Sequence, residues 1–142
     1  MILYLETSNL VKLYVEEEGT GEVKSLVSGA DIVATSIISY VELRAALSRK
    51  FREGGIEKPD YELIKREFEG DWEKYFILDV SRGIIKTASG LAEKHGLRGF
   101  DAIHLASALS LKKRSATPVI FSSTDARLNR AAGIENLKSE KN

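Results

Sequence analysis

Short apolar segments alternate with longer helical patterns along the chain, and this alternation limits the possible folds more than any other feature. Strand-length apolar runs occupy residues 1–5, 31–36, 76–80 and 118–123, and 134–138 is a candidate for a short edge strand. The segments between them repeat apolar residues at helical spacing. This pattern predicts an α/β domain with a parallel central sheet flanked by helices and right-handed crossovers.

Residues that start and stop helices support the same arrangement. Thr7 or Ser8 is predicted to cap the first helix, Ser81 a later one that Gly96 stops, and Asp125 the last one. The helix predicted from position 101 onward is the most apolar in the chain. We therefore expect that helix to be largely buried.

Composition allows one domain and excludes several kinds of site. The chain has 142 residues, of which 43% are hydrophobic, enough to bury a core without disulfides or a structural metal. We assign residues 1–137 to this domain and 138–142 to a C-terminal tail. The sequence has no cysteine, which excludes disulfides, a thiolate nucleophile and Cys-ligated zinc. Basic and acidic residues both number 21, so any nucleic-acid contact must be local.

The first residues carry no signal for export or membrane insertion. No basic leader precedes the apolar run, which ends at Glu6 and is much shorter than a membrane span. We therefore expect a cytoplasmic protein without membrane contact.

Three acidic residues are expected at one edge of the sheet. Glu6 follows the first strand and Asp125 follows the strand at 118–123, so both belong at the carboxyl edge, where such sheets bind ligands. Asp101 opens the apolar helix, which starts on the same side of the sheet and whose positive end a carboxylate complements. The ordinary alternatives are a helix-start acid for Glu6 and helix caps for the two aspartates.

Glu42 is a fourth candidate because it lies inside a helix, on the stripe that contains Ile38, Ala45 and Ala46. A charge on an apolar stripe requires a partner or a functional reason. The small alanine side chains would let this helix approach the other acids closely. The ordinary alternative is that the flexible Glu42 side chain reaches solvent.

The grouped carboxylates predict metal-dependent chemistry on phosphate esters. Neighbouring carboxylates repel one another, which raises their pKa or favours a bound cation. Hard divalent ions such as Mg²⁺ or Mn²⁺ prefer oxygen ligands, lower the pKa of a bound water and neutralise charge on a phosphate. The four acids are therefore typical of a nuclease.

Four segments together resemble the PIN-domain family, especially the VapC-type toxins of prokaryotic toxin–antitoxin pairs. They are YLETSNLVKLY, SYVELRAAL, LRGFDAIHLASAL and FSSTDARLNRAAG. Their order, their spacing and the chain length match the family over essentially the whole sequence. The segment GFDAIHLASAL is the most specific of the four.

This resemblance implies a PIN-like fold and an Mg²⁺- or Mn²⁺-dependent endoribonuclease acting on RNA. It also implies a homodimer that a cognate antitoxin protein holds inactive. Glu42, Asp101 and Asp125 match the family's second, third and fourth acids. Thr124 or Ser123 matches the small polar residue beside the last acid, which can orient a water.

Glu6 departs from the family pattern, in which aspartate usually follows the first strand. Glutamate keeps the carboxylate but adds a methylene, and a misplacement of about 1 Å can reduce a rate roughly a hundredfold. One alternative is therefore a PIN-like RNA- or protein-binding module with weak or lost catalysis. Another is a phosphoacceptor or small phosphatase on a similar sheet.

Basic residues beside the acidic motifs are candidates for contacts to RNA phosphates. We nominate Lys12 and Arg98, which flank the first and third motifs. His104 lies one helical turn after Asp101, and we interpret it as a histidine of the helix core.

Overall fold

Strands and helices alternate as predicted over residues 1–140, the part of the chain that this computed structural model describes. The five strands in this range are β1 (Ile2–Leu5), β2 (Ile32–Ser36), β3 (Phe76–Leu78), β4 (Val119–Ser122) and β5 (Lys138–Ser139). The seven helices in this range are α1 (Thr7–Val11), α2 (Thr20–Gly29), α3 (Ile38–Arg52), α4 (Lys58–Trp72), α5 (Arg82–His95), α6 (Gly99–Arg114) and α7 (Ala126–Ile134).

The strands form one parallel sheet with β1 at its centre, in the order β3-β2-β1-β4-β5. Ile2 of β1 lies opposite Ile32 of β2 on one side and Val119 of β4 on the other. Because every strand runs in the same direction, all their carboxyl ends meet at one side of the sheet, the carboxyl edge. The predicted α/β class with a parallel central sheet is confirmed.

β1 is buried on both faces, and its side chains alternate between two hydrophobic cores. Ile2 and Tyr4 pack into the core formed with α5, α6 and α7, whereas Leu3 and Leu5 pack into the core formed with α1, α3 and α4. A strand covered on both faces is a nearly continuous apolar run, as residues 1–5 are. The sheet is therefore the middle layer between two groups of helices.

The expectation that the most apolar helix is buried is confirmed for α6. Eight of its residues are buried, and it packs against α5, α7, β2 and β4. The helix begins at Gly99, earlier than predicted, with Arg98 as its N-cap residue. Asp101 consequently lies in the first helical turn, near the carboxyl edge.

The predicted helix boundaries are confirmed at both ends of α5 and at the start of α7, but the start of α1, like that of α6, differs. The Ser81 hydroxyl accepts a hydrogen bond from the backbone of Ile84, and Gly96 ends α5 in the left-handed conformation at φ 66°. The predicted capping by Thr7 or Ser8 is wrong, because Glu6 is the N-cap residue and its carboxylate accepts from the Ser8 amide. This frees the Thr7 side chain for a contact across the domain.

The sheet continues beyond residue 137. Lys138 of β5 lies opposite Ile120 of β4, so two residues of the segment that we assigned to the tail belong to the sheet. The edge strand predicted at 134–138 occurs at its far end because α7 extends to Ile134. Across the 140 described residues, no helix is both long enough and apolar enough to cross a membrane.

Candidate active site

Asp101 interacts electrostatically with each of the other three candidate acids. Burial raises its pKa first, and the neighbouring charges of Asp125 and Glu42 raise it further. The same repulsion acts between Asp101 and Glu6 and contributes to the raised pKa of Glu6. Asp101 therefore lies near each of the other three acids predicted from the sequence, although the four come from separate segments.

Glu6 is held at the junction of β1 and α1. It is only 6% exposed, and its Oε2 accepts a hydrogen bond of 2.6 Å from the Ser8 amide. Burial raises the pKa of this carboxyl, an effect that His104 and the Ser8 amide oppose. Glu6 is thus both a helix cap and a buried carboxylate of the site.

Glu42 is half-buried and is held by two side chains from other elements. Thr7 donates a hydrogen bond of 2.6 Å to Glu42 Oε1, and His104 Nε2 lies 2.9 Å from the same oxygen. Burial alone would raise the pKa of Glu42, but these hydrogen bonds and the His104 ring lower it below its ordinary value. The carboxylate is therefore fixed in its ionised form.

His104 connects Glu42 to the centre of the sheet. It is 1% exposed, and its Nδ1 lies 2.8 Å from the hydroxyl of Tyr4 in β1. A carboxylate only accepts hydrogen bonds, so Nε2 donates to Glu42, and a neutral ring then accepts from Tyr4 at Nδ1. The interpretation of His104 as a core histidine is confirmed, and its core position serves to orient Glu42.

Asp125 is the N-cap residue of α7, as predicted. Its Oδ1 accepts a hydrogen bond of 3.0 Å from the Leu128 amide, while its own amide donates to the Ser123 hydroxyl. The Thr124 amide donates to the Ser8 hydroxyl, which joins this loop to the start of α1. Ser123 is buried and committed to the loop, whereas Thr124 is exposed beside the acids.

The explanation given for Glu42 from its helical stripe needs correction. The buried face of α3 consists of Ser39, Leu43 and Leu47, whereas Ala45 is exposed. Glu42 lies beside that face, so small alanines do not account for its approach to the other acids. Its position follows from the hydrogen bonds with Thr7 and His104.

The two basic candidates lie on different elements of the fold. Arg98 is exposed at the start of α6, and its charge lowers the pKa of Asp101 against the larger effect of burial. Lys12 is the C-cap residue of α1 and lines a cavity together with Thr124. Arg98 therefore lies near Asp101, and Lys12 lies near the loop that carries Asp125.

The donor chemistry of the four acids fits a hard divalent cation, since every donor is a carboxylate oxygen. Glu6, Glu42 and Asp125 each use one carboxylate oxygen in a hydrogen bond within the domain. Among residues 1–140, however, no three acidic or histidine side chains already converge as a metal-binding group. The fold gathers suitable ligands, and their final convergence would accompany binding of the ion.

Thr7 and His104 both orient Glu42, but the sequence analysis did not assign either of them to the site. Thr7 follows Glu6 directly, and His104 follows Asp101 by one helical turn, so both lie next to recognised acids. Their common partner is Glu42, which is 35 and 62 residues away from them in the chain. Their positions next to Glu6 and Asp101 in the sequence could have marked them as site residues. That both contact Glu42 could not be predicted, because it depends on how α1, α3 and α6 pack.

Comparison with known proteins gives the chain a family. Residues 3–134 match the model of the PIN domain. Ribonuclease VapC45 of Mycobacterium tuberculosis (strain CDC 1551 / Oshkosh) is 33% identical over 110 residues, which cover 78% of this chain and 76% of the relative.

Solved structures share the fold at low sequence identity. VapBC2 from Rickettsia felis, bound to a DNA fragment from its promoter, has a TM-score of 0.67 and 18% identity over 99% of this chain and 98% of that chain. A toxin–antitoxin complex from Klebsiella pneumoniae has a TM-score of 0.61 and 18% identity over 87% of this chain and 88% of that chain. The family model, the sequence relative and the fold agree with the motifs around the four acids, and this chain belongs to the PIN-domain family as a protein of the VapC type.

Proposed function

We propose that this protein is an Mg²⁺- or Mn²⁺-dependent endoribonuclease and the toxin of a toxin–antitoxin pair. The observation that carries the proposal is the electrostatic coupling of Asp101 to the three other acids at the carboxyl edge. The name of the relative from Mycobacterium tuberculosis, a ribonuclease, supports RNA as the substrate class.

The charge of the site explains why it would take a cation. Glu6 and Asp101 both have a raised pKa, so the fold disfavours the ionised form of each carboxyl and a nearby cation would favour it. Glu6, Glu42, Asp101 and Asp125 would hold the ion through their carboxylate oxygens. When bound, a divalent ion supplies an activated water and neutralises charge on the phosphate.

The chain's own residues would position the RNA. The Arg98 guanidinium at the start of α6 and the Lys12 ammonium can contact phosphates of the RNA backbone. The exposed Thr124 hydroxyl, one residue before Asp125, can orient the attacking water. His104 and Thr7 hold Glu42 ionised and fixed, so this carboxylate is ready before substrate arrives.

Cleavage of a mixed RNA pool tests the proposal directly. The purified protein is incubated with RNA in Mg²⁺, in Mn²⁺ and in EDTA, beside the Asp101→Asn variant. We expect cleavage by the wild type in either metal, no cleavage in EDTA, and strongly reduced cleavage by the variant. Equal cleavage by both proteins would identify a contaminant and overturn the assignment.

A PIN-like binding module with lost catalysis is the second candidate, and one observation favours it. Glu6 occupies the place where the family usually has aspartate, and its Oε2 is engaged by the Ser8 amide at 2.6 Å. If the wild type is silent, Glu6→Asp distinguishes the two candidates. Cleavage by that variant implicates the extra methylene, whereas continued silence beside normal RNA binding supports a binding module.

The surface around the acids is consistent with a protein partner such as an antitoxin. Val41 and Phe100, which directly precede Glu42 and Asp101, are 61% and 56% exposed. Large apolar side chains around a charged site are typical of a surface that another protein covers. The toxin–antitoxin complex from Klebsiella pneumoniae supports this kind of partner. We also propose a homodimer, which light scattering of the purified protein tests.

A further inference from the structure

The hydroxyl of Tyr4, in the central strand β1, contacts His104 behind the acidic site. Tyr4 is completely buried, and its hydroxyl oxygen lies 2.8 Å from His104 Nδ1. The opposite ring nitrogen, Nε2, lies 2.9 Å from Glu42 Oε1. The imidazole ring therefore joins a residue of the hydrophobic core to a carboxylate of the candidate active site.

The sheet fixes the position of the Tyr4 side chain. Tyr4 lies opposite Ala34 of β2 and Phe121 of β4, so its strand is paired on both sides. Its ring stacks on the ring of Phe121, with the centroids 5.7 Å apart and the planes at 14° to each other. The hydroxyl consequently has a defined position in the core and can anchor the His104 ring.

The Tyr4 hydroxyl is the donor in its hydrogen bond with His104. Burial raises the pKa of the Tyr4 phenol well above its ordinary value, and the charges of Glu6 and Glu42 add to this increase. Ser107 lowers the pKa, but by less than burial raises it. The phenol therefore keeps its proton at neutral pH. Since the Glu42 carboxylate accepts the proton of Nε2, Nδ1 of the neutral ring is free to accept from Tyr4.

This donor determines how the His104 ring is held. Without it, Nδ1 would be a buried acceptor with no partner, which is destabilising. A ring that turned to relieve this cost would also withdraw Nε2 from Glu42. We propose that Tyr4 is a positioning residue of the active site, whose hydroxyl holds the His104 ring in the orientation and tautomer that keep Nε2 on Glu42. The inference rests on the proposed ribonuclease function, and Tyr4 acts through His104 rather than on the substrate.

The kinetics of Tyr4→Phe test this role, because the substitution keeps the ring that stacks on Phe121 and removes only the hydroxyl. Thr7 still donates to Glu42 in this variant, so the loss should be partial. We expect kcat to fall roughly tenfold, the low end of the effect of losing a group that orients a metal ligand. KM for RNA, and the Kd for RNA in EDTA, should not change. In the His104→Ala background, Tyr4→Phe should cause no further decrease.

Tyr14→Phe is the matched control for the loss of a hydrogen-bonded phenol. The Tyr14 hydroxyl donates to Asp71 Oδ2 at 2.8 Å, but its ring packs into the other core, beside α4. We expect both variants to melt at a lower temperature than the wild type and only Tyr4→Phe to cleave more slowly. Equal slowing by the two variants would show a general effect of destabilisation and overturn the inference.

Nitrogen NMR of the metal-free protein gives a readout that requires no activity. The chain has two histidines, so histidine labelled with ¹⁵N gives two sets of ring signals, which His104→Ala assigns. In the wild type we expect a protonated Nε2 and an unprotonated Nδ1 for His104, and in Tyr4→Phe the Nδ1 signal should shift. His95, whose Nε2 lies 2.7 Å from Glu135, is the internal reference and should not change.

The outcomes separate this inference from the proposed function. A protonated Nδ1 in the wild type, unchanged His104 signals in Tyr4→Phe, or undiminished cleavage by this variant would overturn the inference and leave Tyr4 as a residue of the core alone. Cleavage by the wild type together with any of these results leaves the nuclease assignment intact. The expected NMR signals without any cleavage by the wild type would contradict the nuclease assignment and, with it, the role of Tyr4 in catalysis.

Discussion

Glu42 and Asp101 are neighbouring carboxylates held in opposite ways. Glu42 receives hydrogen bonds from Thr7 and His104, and its pKa is lowered despite burial. The Asp101 side chain has no hydrogen bond within residues 1–140, and burial and the charges of Asp125 and Glu42 raise its pKa. One carboxylate is satisfied by the fold, and the other is destabilised by it.

The two carboxylates therefore have different roles in the site: one is held rigidly in place, and the other is under electrostatic repulsion. A carboxylate held by hydrogen bonds from its neighbours stays ordered without a ligand, so the Glu42 carboxylate keeps one fixed position in the site. A carboxylate left in repulsion is stabilised by a nearby cation, so Asp101 would provide the driving force for the cation binding that we propose. Substituting Asp101 or a partner of Glu42 alters one side of this contrast at a time.

Removing the charge of Asp101 should have the largest effect. Asp101→Asn is expected to reduce cleavage by about 10²–10³-fold, as loss of a group that stabilises transition-state charge does. Because the variant removes repulsion, its melting temperature should not fall below that of the wild type. Cleavage rates and thermal unfolding measure both. Asp60→Asn, which also removes a first-turn carboxylate but lies on α4, is the matched control. It should leave cleavage unchanged and lower the melting temperature slightly, because it loses a favourable interaction with the helix dipole.

Releasing Glu42 should have a smaller effect on activity and a clear effect on stability. His104→Ala removes a contact to Glu42 and leaves the buried Tyr4 hydroxyl without its partner. We expect about 10- to 100-fold slower cleavage and a loss of about 1–3 kcal/mol in the free energy of unfolding.

A conservative variant separates orientation of Glu42 from simple packing. His104→Gln retains an N–H donor that can reach Glu42, so it should recover part of the lost cleavage rate. If both His104 variants cleave equally slowly while only the alanine variant is destabilised, His104 does not act through Glu42.

Adding Mg²⁺ to the metal-free protein should stabilise it in proportion to binding. At a concentration ten times its Kd, binding contributes about 1.4 kcal/mol, which corresponds to a rise of roughly 3–5 °C in melting temperature for a chain of this size. Asp101→Asn should abolish most of this shift. A shift of equal size in both proteins would place the ion elsewhere.

The smallest expected effect is an opposite pH dependence of two substitutions in the metal-free protein. The pKa of Asp101 is raised, so Asp101→Asn should stabilise the protein at pH 7, and the gain should disappear as pH falls through that raised pKa. The pKa of Glu42 is lowered, so Glu42→Gln should destabilise at pH 7, and this loss should shrink as pH falls through the lowered pKa.

Urea unfolding in EDTA at a series of pH values measures these two differences. Both carboxylates are partly solvated, so each difference should stay below about 1 kcal/mol. If the free energies of unfolding of the two variants changed with pH in the same direction relative to the wild type, Glu42 and Asp101 would not differ in the way described.

The sequence predicted the fold correctly where a single helix or strand has residues that mark its own start or end. The serine before α5, the glycine after it and the aspartate before α7 all mark observed helix ends. The start of α1 was not predictable in the same way, because Thr7 satisfies the capping pattern but contacts Glu42 instead. β5 has only two residues, too few for a strand pattern.

The candidate site was predictable as a set of acids but not as a network. Asp101 and Asp125 were placed at the carboxyl edge by the positions of their elements alone. Glu42 was singled out because of an apolar stripe that included Ala45, which is exposed, so a useful expectation rested on an incorrect face. The contacts of His104 with Tyr4 and Glu42 span three elements, and single-segment patterns carry no information about them.

The two outermost strands of the sheet, β3 and β5, have three and two residues. A strand from a second molecule can extend a sheet only where the outer strand offers a run of unpaired amide and carbonyl groups. Outer strands of two and three residues offer very few such unpaired groups. Intermolecular sheet growth, the first step toward fibrillar aggregation, is therefore disfavoured even when the protein is abundant.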